Sequence, residues 1–185
     1  MARTHSLTEK GTALTDRNVT GAQNVSRMCM VCGRDNPLSL KARFYDLDGG
    51  ELLGVFDVRE VHQSYPGRVH GGVVTAMLDE SIGRAMAAGD ATAFGVTVEL
   101  NVKFRKPVPI SPDLRVLARV TTDPTKRLYE GTGEIVLEDG TVAAEAWGRY
   151  LRMPIDKIAD GDFASEWFAD ERERPRTITL PDTGA

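Results

Sequence analysis

Residues that bind metals or carry redox chemistry are scarce in this chain of 185 residues. It has two cysteines, Cys29 and Cys32, and three histidines, at positions 5, 62 and 70. With no second cysteine pair and no histidine at a suitable spacing, the C-M-V-C segment does not complete a four-ligand zinc site. Turn-forming residues follow it, where a redox pair would open a helix. We expect two reduced, partly buried thiols and no metal.

The chain also lacks a long apolar run and an excess of basic residues. Residues 1–25 are polar and have no apolar centre, which predicts neither a secretory signal nor a membrane anchor. The net charge is −4, and the acidic residues of segment 160–185 account for all of it. Residues 1–159 therefore carry no net charge, which argues against a nucleic-acid partner. We therefore expect a cytoplasmic protein with no membrane or nucleic-acid partner.

The length predicts one domain, and turn residues divide it into a recognisable order of elements. Two strands come first, then one long apolar helix over about 71–88, then a meander of four strands. The expected strands are Leu40–Tyr45, Leu52–Val58, Val96–Phe104, Leu114–Thr121, Arg127–Leu137 and Val142–Met153. This order predicts an α+β fold in which a curved antiparallel sheet of about six strands wraps around one central helix.

Segments outside this pattern are expected to be peripheral. Residues 1–27 have the composition of a flexible arm, residues 28–154 form the predicted domain, and residues 155–185 form an acidic tail that docks weakly or not at all. Strand Val96–Phe104 alternates apolar and polar residues so regularly that an exposed edge would invite aggregation. We expect it to pair with a second copy in a dimer, which can pair again into a tetramer.

The predicted helix opens on two glycines and carries an aspartate among apolar residues. A helix N-terminus offers unpaired N–H groups and partial positive charge, so a site at Gly71 and Gly72 can hold an oxyanion. Asp79 is a poor helix former in surroundings where a charge is costly. Its neighbour Glu80 has Arg84 one turn later, and a solvated ion pair explains it. Asp79 is therefore either paired with an unseen arginine or functional.

These residues resemble a known family. From about Cys29 to Met153, the chain is similar to the hot-dog thioesterases of the PaaI-like family. The residues that carry the resemblance are the H-G-G of positions 70–72, the aspartate nine positions after His70, Thr97 on the next strand, and the C-M-V-C-G-R-D-N-P-L segment. The family implies a hot-dog fold and hydrolysis of an acyl-coenzyme A thioester, with coenzyme A as part of the substrate and no cofactor.

The resemblance also implies roles at a site shared by two subunits. Gly71 would polarise the thioester carbonyl through its amide, Asp79 of the partner chain would act as nucleophile or as base for a water, and Thr97 would position it. His70 and Gly72 would shape the helix entry and the binding site. Related enzymes often have Asn or Gln upstream of H-G-G, but here Ser64 aligns with that position, and Gln63 could replace it only if the loop shifts by one residue.

Other residue assignments and functions stay open. Lys106, Lys126 and Arg127 lie at loop or strand ends, where they could bind the phosphates of the coenzyme or serve only as surface charges. A non-catalytic acyl-CoA binding or sensing protein would keep the pocket without needing the acid. A hot-dog dehydratase would use a differently placed histidine, and this chain has no histidine after the helix. The identity of the acyl group is not encoded in a readable motif.

Overall fold

A computed structural model describes residues 14–87, 90, 92–123 and 125–181 of the chain. In these residues one α-helix, α1 (Gly71–Ala85), accompanies ten strands, and none of the helices is long and apolar enough to cross a membrane. The strands are β1 (Leu14–Ala22), β2 (Val25–Ser26), β3 (Arg43–Leu47), β4 (Leu52–Phe56), β5 (Gly95–Phe104), β6 (Leu114–Val120), β7 (Leu128–Val136), β8 (Val142–Arg152), β9 (Trp167–Phe168) and β10 (Thr177–Pro181).

A single antiparallel sheet of eight strands wraps around α1. Its strand order is β10-β1-β3-β4-β6-β7-β8-β5, and α1 packs on β4 to β8. Glycines in β7 allow the close approach: a Cβ atom added at Gly131 or Gly133 would lie 2.7 or 2.9 Å from the side chain of Ile82. Since Ile82 is fully buried, the helix is embedded in the sheet along its length.

The predicted core of the fold is confirmed. All six expected strands are present, with ends that differ by a few residues, and the helix begins at Gly71 as predicted. It ends at Ala85, and Ala88, the expected last residue, lies outside the described part. In the turn between β3 and β4, Gly49 and Gly50 adopt φ angles of 92° and 82°. Only glycine adopts such angles without strain, which explains the double glycine there.

The structure differs from the expected arm and tail. Part of the predicted arm, β1, pairs with β3, and part of the predicted tail, β10, pairs with β1. The sheet therefore has eight strands and not six. An apolar cluster on the face away from α1 accounts for this, because Val19 of β1 and Leu180 of β10 cover Leu53 and Leu117 there. Positions 1–13 and 182–185 lie outside the described residues.

A second segment of the predicted tail folds against the N-terminal region. Strand β9 pairs with β2, and a short 3₁₀ helix, Phe163–Glu166, precedes it. Trp167 packs edge-on against Phe94, with ring centroids 5.9 Å apart. The sequence predicts a short amphipathic helix with Phe163, Trp167 and Phe168 on its apolar side. The structure instead divides these residues between the 3₁₀ turn and β9.

Strand β5 lies at one end of the sheet, and its outer edge pairs with no strand among the described residues. Its pairing with β8 shifts between Thr97 and Glu99, which leaves Val98 as the extra residue of a β-bulge. The predicted alternation places Val98 on the core face, but the bulge leaves it 56% exposed. Beyond the bulge the alternation resumes, with Leu100 and Val102 packed against the core.

Candidate active site

Asp79 lies on α1 between two hydroxyl donors. Thr97 Oγ1 on β5 donates to Asp79 Oδ1 at 2.8 Å, and Tyr150 Oη on β8 donates to the same oxygen at 3.1 Å. The Tyr150 hydroxyl is also 3.1 Å from the backbone carbonyl of Asp79. Both donors bind Oδ1, and Oδ2 has no partner in the described residues. This carboxylate is held in place while one oxygen stays available.

Tyr150 is a member of the site that the sequence analysis missed. Its ring is 1% exposed and stacks on Tyr129 with centroids 5.3 Å apart. Burial and the adjacent Asp79 raise the pKa of Tyr150 far above its usual value, so its hydroxyl stays a donor. A Cβ atom at Gly148 would lie 2.7 Å from the ring. The sequence signal is the run of alternate small residues on β8, positions 144, 146 and 148, that ends in a tyrosine.

The two neighbouring acids have different partners. No ion pair to Asp79 occurs in the described part of the chain, whereas Glu80 Oε1 lies 2.7 Å from Arg84 Nε. The predicted Glu80–Arg84 pair is thus present, but it is not solvated: the side chain of Arg84 is 10% exposed. Phe44 and Trp167 cover its guanidinium, with ring centroids 4.3 and 4.9 Å away. The structure therefore gives Glu80 a packing role and leaves Asp79 without a cation.

The N-terminus of α1 presents a free amide. His70 is the N-cap residue, and its Nδ1 accepts a hydrogen bond of 3.0 Å from the amide of Gly72. The amides of Val73 and Val74 bind the His70 carbonyl. The amide of Gly71 has no acceptor among the described residues. Of the two glycine amides predicted to hold an oxyanion, Gly71 is therefore available, and Gly72 is occupied by the cap.

A cleft of about 560 Å³ opens in front of Gly71. Ser64 and Lys106, two of the predicted binding residues, line it, and so do Arg68 and Arg105, which the sequence analysis did not select. Arg105 pairs with Glu145 at 2.6 Å, while neither Arg68 nor Lys106 forms an ion pair within the described ranges. The cleft is thus apolar at its base and cationic at its rim. The other lining residues are Tyr65, Val69, Val74, Phe104, Pro107 and Val108.

The other predicted binding residues lie elsewhere. Gln63 forms an antiparallel bridge with Val69 and does not line the cleft. The loop therefore keeps the register that presents Ser64. Lys126 and Arg127 precede β7, whose Tyr129 is paired in the sheet with Tyr150. They lie at the Asp79 end of the sheet and not at the Gly71 end.

Within one chain, the amide of Gly71 and the carboxylate of Asp79 are apart. Eight helical residues separate them, which corresponds to about 12 Å along the axis at 1.5 Å per residue. A reacting group has to lie about 3 Å from both a nucleophile and an oxyanion donor. The two parts of the predicted site are thus well formed in this chain, but they do not meet at one reacting atom.

Comparison with known protein families gives a match in the middle of the chain. Residues 66–144 match the model of the thioesterase superfamily. Among curated proteins, the acyl-coenzyme A thioesterase THEM4 of Bos taurus is 24% identical over 95 residues, which are 51% of this chain and 38% of the bovine protein. The mouse counterpart is 24% identical over 117 residues, 49% of its length. The match therefore spans less than half of either curated relative.

Solved structures share the fold over a longer stretch. A thioesterase superfamily protein is 28% identical with a TM-score of 0.61 over 69% of this chain and 61% of that one. The Escherichia coli PaaI protein has a TM-score of 0.54 at 19% identity, covering 62% and 80%. A Streptococcus mutans protein, solved with bound acetyl-CoA, has a TM-score of 0.51 at 16% identity, covering 57% and 82%. The sequence match over residues 66–144 and the hot-dog fold around it together confirm that this chain resembles the PaaI-like hot-dog thioesterases.

Proposed function

We propose that this protein hydrolyses the thioester bond of an acyl-coenzyme A. The observation that carries the proposal is the carboxylate of Asp79, which two hydroxyl donors orient and which forms no ion pair within the described residues. A buried ion pair would explain a structural aspartate, but here both donors bind one oxygen, and the other has no partner among the described residues. Such an oxygen is suited to attack a thioester carbonyl or to take a proton from a water that attacks it.

In this proposal, the amide of Gly71 is the oxyanion donor. It lies at the first residue of α1, where the helix dipole adds partial positive charge. The His70 cap uses the neighbouring amide of Gly72, and the amide of Gly71, which lines the cleft, has no acceptor among the described residues. A negative charge that develops on the thioester oxygen would be stabilised there more strongly than the neutral carbonyl.

The separation of about 12 Å between Gly71 and Asp79 in one chain requires a second chain to complete the site. Strand β5 connects the two regions, because Thr97 binds Asp79 and the ring of Phe104 lies next to Gly71. Antiparallel pairing of two β5 edges, centred between Leu100 and Asn101, would place Thr97 of one copy opposite Phe104 of the other. The free edge of β5 supports this dimer, in which Asp79 of one copy faces Gly71 of the other.

Cations at the cleft are suited to the phosphates of coenzyme A. Lys106 and Arg68 lie at the rim in front of Gly71, and their side chains are exposed. Their charges are not used in ion pairs within the described residues, and a phosphate group can accept hydrogen bonds from both. The S. mutans protein of similar fold binds acetyl-CoA. We assign Lys106 and Arg68 to the coenzyme, and Lys126 and Arg127 stay predicted binders at the other end of the site.

A panel of acyl-CoA substrates, with detection of the free thiol, tests the proposal. Short, long and aromatic acyl groups should be included because the cleft alone does not fix the acyl chain. We expect turnover of at least one class by the wild-type protein and loss of turnover in Asp79→Asn. Tight binding of an acyl-CoA without hydrolysis would instead favour the acyl-CoA binding or sensing function, and binding of none would contradict both.

A further inference from the structure

The two cysteines lie together beside Glu80 of α1 and are not among the residues that contact Asp79. The sulfur atoms of Cys29 and Cys32 and a carboxylate oxygen of Glu80 all lie within 4.8 Å of one another. The segment between the cysteines is a turn, closed by a hydrogen bond of 2.9 Å from the Gly33 amide to the Cys29 carbonyl. The turn thus holds both sulfurs near each other without a bond between them.

The environments of the two thiols differ. Cys29 is partly exposed, and its Sγ accepts hydrogen bonds from the amides of Val31 and Cys32, at 3.3 and 3.5 Å. The neighbouring Cys32 thiol and these two amides lower the pKa of Cys29 to about 6. Cys32 is 1% exposed, and the neighbouring Cys29 side chain and burial raise its pKa. One thiol is therefore a reachable thiolate and the other a buried partner.

A metal ion could be considered for a Cys-Cys-Glu cluster, but a fixed cation is already present. Arg84 Nη2 donates to Cys32 Sγ at 3.2 Å, and Arg84 Nε donates to Glu80 Oε1 at 2.7 Å. The same guanidinium also binds the Asn24 carbonyl at 2.8 Å. Two of the three groups that could bind a metal, Cys32 and Glu80, thus accept hydrogen bonds from Arg84. The described chain brings no fourth His, Cys, Asp or Glu to the group. These contacts favour a dithiol over a metal site.

We propose that Cys29 and Cys32 form a thiol–disulfide exchange site whose substrate is a low-molecular-weight disulfide. The Cys29 thiolate attacks one sulfur of the disulfide RS–SR, a bond forms between Cys29 and that sulfur, and RS⁻ leaves. Cys32 then gives up its proton to solvent and attacks Cys29, which forms the intramolecular disulfide and releases the second RS⁻. The dithiol is oxidised by two electrons, and the small disulfide is reduced to two thiols.

A cleft next to Cys32 provides space for the leaving group. It has a volume of about 410 Å³ and is lined by Cys32, by three cations and two carboxylates, and by Ala169; the charged residues are Arg34, Lys41, Arg172, Asp170 and Glu171. Cys32 therefore contacts an open space although its own surface is almost fully covered. The sulfur atoms of Cys29 and Cys32 lie within 4.8 Å of each other on one turn, and the second step closes this distance to the length of an S–S bond.

Glutathione disulfide, added to the reduced full-length protein, is the probe for the exchange. Intact-mass and peptide analysis of the wild type should show a bond between Cys29 and Cys32 and no lasting adduct. Cys32→Ser should accumulate one glutathione on Cys29, because the second step is blocked. Cys29→Ser should react at least about tenfold more slowly, because the thiolate position is lost. Acyl-CoA hydrolysis by the Cys29→Ser/Cys32→Ser variant should be unchanged.

Three results would overturn the proposal. One is a wild type that stays reduced under conditions in which the unfolded chain is oxidised. Another is equal reactivity of the two single variants. The third is about one equivalent of zinc in the purified protein that protects both thiols until a chelator removes it, which would establish the metal site. If a serine variant does not fold, limited alkylation of the wild type replaces it: Cys29 should be labelled at least about tenfold faster than Cys32.

Discussion

At the scale of single residues, the pair of adjacent acids on α1 shows how partners separate a functional carboxylate from a structural one. Asp79 is bound by the neutral hydroxyls of Thr97 and Tyr150, and Glu80 is bound by the guanidinium of Arg84. A neutral donor fixes the position of a carboxylate and leaves its charge, whereas a buried guanidinium neutralises it. Only the first arrangement keeps a base available for chemistry.

Replacing each acid by its amide separates these roles. Asp79→Asn keeps an oxygen that can accept both hydroxyl bonds, so we expect a folded protein whose kcat falls at least about 100-fold. Glu80→Gln should keep most activity but lower the free energy of unfolding by about 1–2 kcal/mol, because a largely buried charged hydrogen bond is weakened. Steady-state kinetics and urea unfolding measure both. An inactive Glu80→Gln variant together with an active Asp79→Asn variant would contradict the assignment.

The hydroxyl of Tyr150 should act as a positioning group for Asp79. Tyr150→Phe keeps the buried ring and removes one donor, so we expect kcat to fall about tenfold, the equivalent of about 1.4 kcal/mol, with little change in KM. Tyr129→Phe is the matched control, because its hydroxyl binds the Gly83 carbonyl at 3.2 Å and not Asp79. Equal losses in the two variants would mean that packing, and not the contact with Asp79, explains the effect.

At the scale of elements, the sequence patterns are strongest in the helix and in the strands that surround it. Helix α1 and strands β3 to β8 were predictable because turn residues mark their ends, and α1 and β5 also repeat apolar residues with the period of the element. Strands β1 and β10 were not, because β1 is polar along most of its length and is held by backbone pairing and by Val19 alone in the core. Such strands depend on partners distant in the sequence.

The candidate site shows the same division. Gly71 and Asp79 could be selected from the sequence, since a glycine helix start and an unexplained acid are local features, and Thr97 could be selected through the resemblance to the PaaI-like family. Tyr150 could not, because its contact with Asp79 joins residues 71 positions apart. The bulge at Val98 was also hidden, since the alternation of β5 continues through it in sequence while the pairing shifts.

The first residue of α1 offers a test of the oxyanion donor. Proline is favoured at the first position of a helix. The residue before a proline has to be extended, and His70 already is, with φ −63° and ψ 136°. Gly71→Pro should therefore fold, lose the amide hydrogen and reduce kcat by about 10²–10³-fold. Gly71→Ala keeps the amide, and its Cβ would lie 3.7 Å from the Phe104 ring, an ordinary contact. Full activity in Gly71→Pro, measured by thiol release, would remove Gly71 from the mechanism.

At the scale of the whole molecule, the sheet has two different ends. One end is β10, an edge strand of five residues whose Leu180 covers the apolar cluster on the outer face. At the other end, β5 offers unpaired backbone groups next to both halves of the proposed site. An edge of ten residues that pairs with no other strand in the described part of the chain is a template for pairing with another chain. The asymmetry therefore favours assembly through β5.

Mixing two inactive variants tests whether the site is shared between chains. Asp79→Asn lacks the base and Gly71→Pro lacks the oxyanion donor, so each dimer alone should be inactive. After the two are unfolded together and refolded, random pairing makes half of the dimers mixed, and one of the two sites in each mixed dimer is intact. We expect about one quarter of the wild-type activity to return. Sedimentation should show a dimer or a dimer of dimers throughout. A mixture that stays inactive although mixed dimers form, or a wild-type monomer that hydrolyses acyl-CoA, would contradict the two-chain site.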